Sequence, residues 1–290
     1  MDKFSISQIS QFTGIKPNTL RAWENRYNAV EPNRSEGNTR YYDNSQLRRL
    51  LNIVSIKESH KISELCSYSD EKLFELVLKR QQEKNEDETD NYFVSQLISA
   101  GINYDEAYFE KIFSHCLLRY DIKSAYMMVI HPMLKRLGLL WTSNRIPPAC
   151  EHFISNLVRQ KLFTAIDALP PSPPEGDTWV LFLPENEFHD IGLLFANHLI
   201  RLSGQKVIFL GANVPMESLK SAVADIQPEH LFFFLIHNDL PENTQEYLDQ
   251  LRTSFPNINL LLSGNSHLID QLELRDVQWV KWIEDLEKLL

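Results

Sequence analysis

Leu183-Pro184-Glu185-Asn186-Glu187-Phe188-His189-Asp190-Ile191-Gly192 joins two unlike patterns. The run before it, Trp179 to Leu183, is short and continuously apolar, which predicts a buried strand. The run after it, Leu193 to Leu202, repeats apolar residues at helical spacing. Glu187, His189 and Gly192 are therefore expected on a strand-to-helix loop at the carboxyl edge of a parallel sheet. Open α/β sheets bind ligands at that edge. An imidazole there can reach toward a metal or cofactor, and a nearby carboxylate can fix its tautomer and raise its basicity. A glycine three residues later lets a bulky group approach the backbone. Taken alone, the triplet is equally a surface histidine on an ordinary loop.

Outward from this stretch, strands and helices alternate. Strands are expected at Trp179–Leu183, Lys206–Leu210, Leu231–Ile236, Asn259–Leu262 and Val277–Trp282. Helices are expected near 190–203, 216–226, 242–254, 266–273 and 283–290. Five such units indicate a doubly wound, five-stranded parallel sheet over residues 177–290. Upstream, the proline-rich stretch from Pro170 to Gly176 reads as a semi-rigid linker. Residues 92–167 are helical by pattern, with main segments Tyr104–Leu118, Ile122–Leu139 and Ala149–Leu169. Helices of that length make a four-helix bundle, assigned to residues 91–169. Residues 81–90 contain no apolar side chain and read as a solvated linker or helix end.

At the other end, Ile6, Ile9 and Phe12 recur at helical spacing before Gly14. Pro17 suits the first turn of a second helix, Asn18 to Tyr27, with Leu20, Trp23 and Tyr27 on one face. Two short helices around a glycine turn predict a helix-turn-helix, whose second helix can enter the major groove of DNA. Gly37-Asn38 reads as a hairpin turn flanked by Arg34 and Arg40, which would reach phosphates. A third helix, Ser45 to Ser59, is expected next.

Thr13-Gly14, Thr19-Leu20-Arg21-Ala22-Trp23-Glu24-Asn25-Arg26-Tyr27 and Gly37-Asn38-Thr39-Arg40-Tyr41-Tyr42 together resemble the winged helix-turn-helix of the MerR family of transcription regulators. The resemblance covers roughly residues 4–75 within a head assigned to residues 1–80. It implies a homodimer on double-stranded operator DNA, with a tetramer as a further assembly. It also implies DNA contacts from Lys16, Asn18, Thr19, Arg21 and Arg26 of the second helix and from Arg34, Arg40 and Tyr41 of the wing. Asn28 stands where relatives usually have glycine, and asparagine tolerates a left-handed backbone.

Three further features coincide. Trp141 is separated by nine residues from Glu151-His152, as in the helical cap of cobalamin-binding regulators. Glu187-Phe188-His189-Asp190-Ile191-Gly192 is similar to the Glu-x-His-x-x-Gly cobalamin loop, and Leu210-Gly211-Ala212-Asn213-Val214-Pro215 is similar to the second loop of that fold. The whole chain thus resembles the cobalamin-dependent MerR regulators, some of which sense light, with a flavodoxin-like cobalamin domain.

That resemblance implies adenosylcobalamin as cofactor, His189 as lower cobalt ligand, and Glu187 or Asp190 on the other ring nitrogen. It places Gly192, Gly211, Pro215, Ser263 and Gly264 along the nucleotide tail, and Trp141, Glu151 and His152 over the upper face. Three departures are visible. Phe234-Leu235-Ile236-His237-Asn238 lacks the serine usual in the third loop, Ser263 replaces a glycine, and Thr142 replaces the histidine that light-sensing relatives often carry. They motivate an alternative, a MerR-type regulator with a degenerate cobalamin fold that answers to a protein partner or another ligand. No catalytic domain accompanies the head, so an enzyme is not expected.

Composition sets the outer limits. In 290 residues, 43% are hydrophobic, enough for a sizeable core in two or three domains. The net charge is −10, yet residues 1–60 hold nine Lys/Arg and six Asp/Glu, a net +3, leaving −13 on the remainder. A basic end on an acidic body suits a nucleic-acid module joined to something else. Cys66, Cys116 and Cys150 lack metal spacing, which predicts reduced cytosolic thiols, and the histidines lack H-E-x-x-H or other zinc spacing, so no zinc is expected. With no signal peptide and no apolar run of ~20 residues, a cytoplasmic protein without a membrane span is expected.

Overall fold

In the computed structural model, which describes residues 4–35, 38–57, 59–81, 86–142, 146–171, 176–236 and 243–290, the first helix begins at a reciprocal cap. The Ser5 side chain accepts from the Gln8 N–H, and the Gln8 side chain accepts from the Ser5 N–H. Helix α1 (Ile6–Thr13) ends at Gly14, whose φ of 73° is left-handed and whose N–H returns to the Ser10 carbonyl. Helix α2 (Pro17–Tyr27) starts on its proline and ends at Asn28, also left-handed at φ 51°. Strands β1 (Asn33–Arg34) and β2 (Arg40–Tyr41) pair antiparallel as the wing. Residues 36–37, including the expected turn glycine, lie outside the described residues.

A second reciprocal cap, Asp43 with Gln46, opens α3 (Asn44–Ile56). It ends short of the expected Ser59. Then come α4 (Ile62–Ser67) and α5 (Asp70–Gln81). Ile9, Leu20, Leu47, Leu50 and Ile53 form the core of this head. Arg49 ties it together by donating to the carbonyls of Ala29, Cys66 and Tyr68 and to the Asp70 carboxylate.

Packing divides the chain into two units, residues 1–157 and 158–290. The first contains the head and most of the bundle: α6 (Glu86–Ile102), α7 (Glu106–Arg119), α8 (Ile122–Ala125), α9 (His131–Thr142) and the start of α10 (Pro148–Asp167). Residues 86–90, expected as a linker or helix end, form the first turn of α6. The single helix expected over Ile122–Leu139 is interrupted by a π-helical turn, Tyr126–Ile130. Phe93, Leu97, Phe109, Ile112, Val129, Met133, Leu137 and Ile154 fill the bundle core. Each such burial stabilises by roughly 1.5–3 kcal/mol before entropy is counted.

Head and bundle also share a polar seam. Arg48 of α3 donates to Asp105 at 2.5 Å and lies 4.0 Å over the Tyr108 ring. The Tyr108 hydroxyl donates to Gln96 Oε1 at 2.8 Å, and Gln96 Nε2 donates to Asn52 Oδ1 of α3 at 3.1 Å. Burial pushes the Tyr108 hydroxyl up to about 12, so it remains a donor.

The second unit is a five-stranded parallel sheet of order β4-β3-β5-β6-β7. Its strands are β3 (Thr178–Pro184), β4 (Lys206–Val214), β5 (His230–Leu235), β6 (Asn259–Gly264) and β7 (Val277–Trp279). The connecting helices are α11 (Ile191–Leu202), α12 (Met216–Ile226), α13 (Thr244–Ser254) and the short α14 (Ser266–Ile269), and α15 (Ile283–Glu287) closes the chain. Val180, Phe182, Leu231, Phe233 and Leu262 cluster with Leu219 and Val223 of α12 and Leu248 and Leu251 of α13. The intervening strand residues, among them Leu181, Phe232 and Leu261, are buried on the opposite face. Cover on both faces accounts for the unbroken apolar runs.

β4 departs from expectation. It continues through Gly211 to Val214 rather than ending at Leu210. Leu181 pairs with Phe209 and Phe182 with Gly211, so Leu210 is an extra residue in the ladder. Gly211 adopts φ 81° and Asn213 φ 57° in this irregular stretch. Such bulges re-aim a strand at its end.

Candidate functional site

The loop between β3 and α11 is organised by one buried carboxylate. Glu187 is 2% exposed. Its Oε1 accepts from the N–H groups of Phe188 at 2.9 Å and His189 at 3.0 Å, and from His189 Nδ1 at 2.6 Å. Its Oε2 accepts from the Ile236 N–H at 3.0 Å, just past the end of β5. Four N–H donors thus satisfy a group that would otherwise be costly to bury. The His189 side chain is 56% exposed. With Nδ1–H directed at the carboxylate, the neutral ring carries its lone pair on Nε2. This is the tautomer that suits metal ligation through Nε2.

The irregular end of β4 clips onto the same loop. Asn213 Oδ1 accepts from the Asn186 N–H at 2.9 Å, and the Asn213 N–H donates to the Glu187 carbonyl at 3.1 Å. Pro215 follows as the residue preceding α12. One loop backbone is thereby joined to the ends of both strands that flank β3.

Of the two carboxylates considered for the His189 ring, Glu187 takes it. Asp190 instead accepts from Arg159 Nε at 2.6 Å. Gly192 also has a packing role within the fold. A Cβ at this position would come 2.9 Å from Cε1 of Phe234, so the glycine lets that ring pack over the start of α11. Gly264, at φ 133°, lies so close to β5 that a Cβ would collide with the Leu235 carbonyl. Ser263 pairs with Phe234 in the ladder and is partly buried. His237 and Asn238 of the third loop lie outside the described residues.

Trp141 and Thr142 close α9, and their side chains lie outside the described residues. Glu151 and His152 occupy the first turn of α10, with His152 Nδ1 3.0 Å from Glu151 Oε2 and the His152 side chain 73% exposed. The Ser155 hydroxyl donates to Glu151.

In the head, Lys16, Asn18, Thr19, Arg21, Arg26 and Arg34 are exposed. Arg21 donates to Asn18 at 3.1 Å, and Arg34 to Asn38 Oδ1 at 2.7 Å. Tyr41 is partly buried. Arg40, expected beside the turn and reaching outward, has its Nε 3.5 Å from the buried Glu24 carboxylate. Glu24 also receives the buried Tyr42 hydroxyl, which burial and this carboxylate hold far above the ordinary tyrosine range. Arg40 thus has an internal partner that Arg34 lacks in its place on the wing.

Sequence reasoning did not single out Arg159, Arg48 or Gln96. Each acts across more than thirty residues or through a neighbour, and no local spacing marks such a contact.

Two family models match parts of the chain. Residues 4–63 match the model of the MerR HTH family of regulatory proteins, and residues 94–165 match a B12-binding domain. Over 257 residues the chain is 28% identical to the HTH-type transcriptional repressor CarA of Myxococcus xanthus, covering 87% of this chain and 83% of the relative. Over 260 residues it is 27% identical to the repressor CarH of the same organism, covering 87% and 85%. These relatives are regulators rather than enzymes. The monomethylamine corrinoid protein of Methanosarcina barkeri shares the fold at a TM-score of 0.57 and 14% identity, covering 69% of this chain and 97% of that one. Among the described residues no helix is long and apolar enough to cross a membrane.

Proposed function

We propose that the chain, whose residues 4–63 match the MerR HTH family and residues 94–165 a B12-binding domain, is a transcription regulator that responds to adenosylcobalamin, with His189 as the lower ligand of the cobalt. The observation that carries this reading is the contact of His189 Nδ1 with the buried Glu187 carboxylate at 2.6 Å. A neutral, oriented imidazole suits a borderline transition metal. Among the described residues no three His, Cys, Asp or Glu side chains converge as a metal cage. A single exposed imidazole fits a metal that arrives already held by its own macrocycle.

When bound, adenosylcobalamin supplies a cobalt–carbon bond that light can break. The protein's part is to hold and orient. Glu187 fixes the His189 tautomer and ties its loop to β5. Gly192, Gly211, Pro215, Ser263 and Gly264 are assigned to the nucleotide tail, and Asp190 supports the loop from behind. The assignment of Trp141, Glu151 and His152 to the upper face rests on their sequence signature. Thr142 offers no imidazole where light-sensing relatives often carry a histidine, so no second histidine ligand is expected from that position.

On the DNA side, Lys16, Asn18, Thr19, Arg21 and Arg26 of α2 are assigned to the major groove, and Arg34, Arg40 and Tyr41 to the backbone. The proposed divisions are a DNA-binding head at 1–80, a helical cap at 91–169 and a sheet domain at 177–290. Repression is proposed from the likeness to the repressors CarA and CarH, and a dimer on the operator from the MerR-type head.

One specific contact favours a second reading, in which the regulator answers to a protein partner. Phe234 covers Gly192, where a bulky ligand would otherwise approach. Isothermal titration of the protein and of His189→Ala with adenosylcobalamin at pH 7.5 decides between the two. Binding with a base-off, His-on spectrum that the variant loses supports the cobalamin reading. Equal affinities, or no binding by either, leave the partner reading standing.

A further inference from the structure

Asp190 stands at the N-cap of α11, yet its side chain makes no capping hydrogen bond. Aspartate is favoured at that position because its carboxylate takes an orphan N–H of the first turn. Here the carboxylate turns away and accepts from Arg159 Nε at 2.6 Å, with the two side chains 27% and 19% exposed. Arg159 lies in the C-terminal half of α10. The local default has been given up for a contact 31 positions away in sequence. A charge-assisted bond that is largely removed from water holds its geometry well.

This contact bears on the residue one position back. His189 is flanked in sequence by two carboxylates, and Glu187 alone of these receives Nδ1. The Asp190 N–H donates to the Phe188 carbonyl at 3.0 Å, forming a tight turn across His189. The leading side of His189 is therefore fixed by Glu187, and the trailing side by the Asp190 backbone and the Asp190–Arg159 pair.

We propose that Arg159 is a positioning residue for the His189 imidazole. Through Asp190 it anchors the trailing end of the loop to α10, keeps that carboxylate off the ring, and leaves Nε2 presented in one orientation to a corrinoid cobalt. The inference rests on the cobalamin reading and adds a residue that touches neither ring nor ligand.

The test uses the full chain as wild type, Arg159→Met, Arg159→Lys, Asp190→Ala and the double variant Arg159→Met/Asp190→Ala. Each is titrated with adenosylcobalamin, its visible spectrum recorded and its thermal midpoint measured. Arg159→Met is expected to bind about tenfold more weakly, as for other partners behind a metal ligand. It should show a mixture of His-on and base-on absorption at a nearly unchanged thermal midpoint. Arg159→Lys should restore the wild-type spectrum. The double variant should bind no more weakly than Arg159→Met, since both changes break one link.

Wild-type binding with Arg159→Met unchanged in affinity and spectrum overturns this proposal alone. So does a lowered thermal midpoint with an intact spectrum. No binding by wild type removes the cobalamin reading and this proposal with it. If Arg159→Met does not fold, Asp190→Ala breaks the same link and carries the same expectation.

Discussion

Gln96 on α6 donates from Nε2 to Asn52 Oδ1 on α3 at 3.1 Å, and Gln96 is 0% exposed. The same side chain accepts from the Tyr108 hydroxyl through Oε1. One amide thus satisfies a buried side chain in the N-terminal head and a partly buried hydroxyl in the bundle. Gln96→Leu keeps much of the volume but strands both partners. Leaving such groups unpaired costs about 1–3 kcal/mol. Chemical denaturation of the full chain should show a loss in that range. A change below about 0.5 kcal/mol, typical of surface substitutions, would mean that the seam carries no stability.

Arg34 and Arg40 face each other across the wing, yet they differ in surroundings. Arg34 is exposed, whereas Arg40 sits against buried Glu24. Removing either should weaken binding to all DNA sequences and lower the salt slope by about one unit, as for a lost phosphate contact. Only Arg40→Ala should also lower the thermal midpoint, because it leaves the Glu24 charge short of a partner. An unchanged salt slope for both variants would exclude the wing from the DNA contact.

Much of this architecture is written in local pattern. Continuous apolar runs mark β3 and β5, because strands covered on both faces need no alternation. Gly14 and Asn28 mark helix ends because both must turn left-handed. The Glu-x-His spacing marks the site because Glu187 reaches His189 within its own loop. What stayed hidden was long-range. The bulge at Leu210 depends on pairing with β3, so Leu210-Gly211 reads equally as a strand end. The choice between Glu187 and Asp190 depended on Arg159, which no spacing connects to the loop. The role of Gly192 depended on Phe234, a residue on another strand.

Acid should loosen the bundle. Burial, with Lys135 close by, holds His131 below the ordinary histidine range. The unfolded chain therefore binds a proton near pH 6.5 that the folded chain takes up only at lower pH. His131 thus favours the folded state least below its unfolded value, and stability should fall as pH drops through and below about 6.5. Denaturation midpoints at pH 7.5 and 5.5 should show a smaller gap in His131→Gln than in wild type. Equal gaps would assign the acid sensitivity to other groups, such as His115 and His198, which burial also holds low.

Glu187 and His189 should fail in different ways. His189→Ala removes the proposed cobalt bond itself, so base-off, His-on absorption should vanish and affinity should fall far more than for a surface histidine. Glu187→Gln keeps a group of the same shape beside the ring but removes its charge. The introduced amide can still accept from one side of the loop, while its NH2 would face the other set of N–H donors. It should therefore cost less, about 10–100-fold in affinity, as for other carboxylates behind a histidine ligand. Because Glu187 also accepts from the Ile236 N–H at 3.0 Å, its loss should lower the thermal midpoint of the ligand-free protein, which His189→Ala should leave nearly unchanged. Adenosylcobalamin titration of both variants, with ligand-free melting curves, separates the two roles. If Glu187→Gln loses affinity as completely as His189→Ala without any loss of stability, the carboxylate is itself a direct ligand contact and its role as the orienting partner of His189 is wrong.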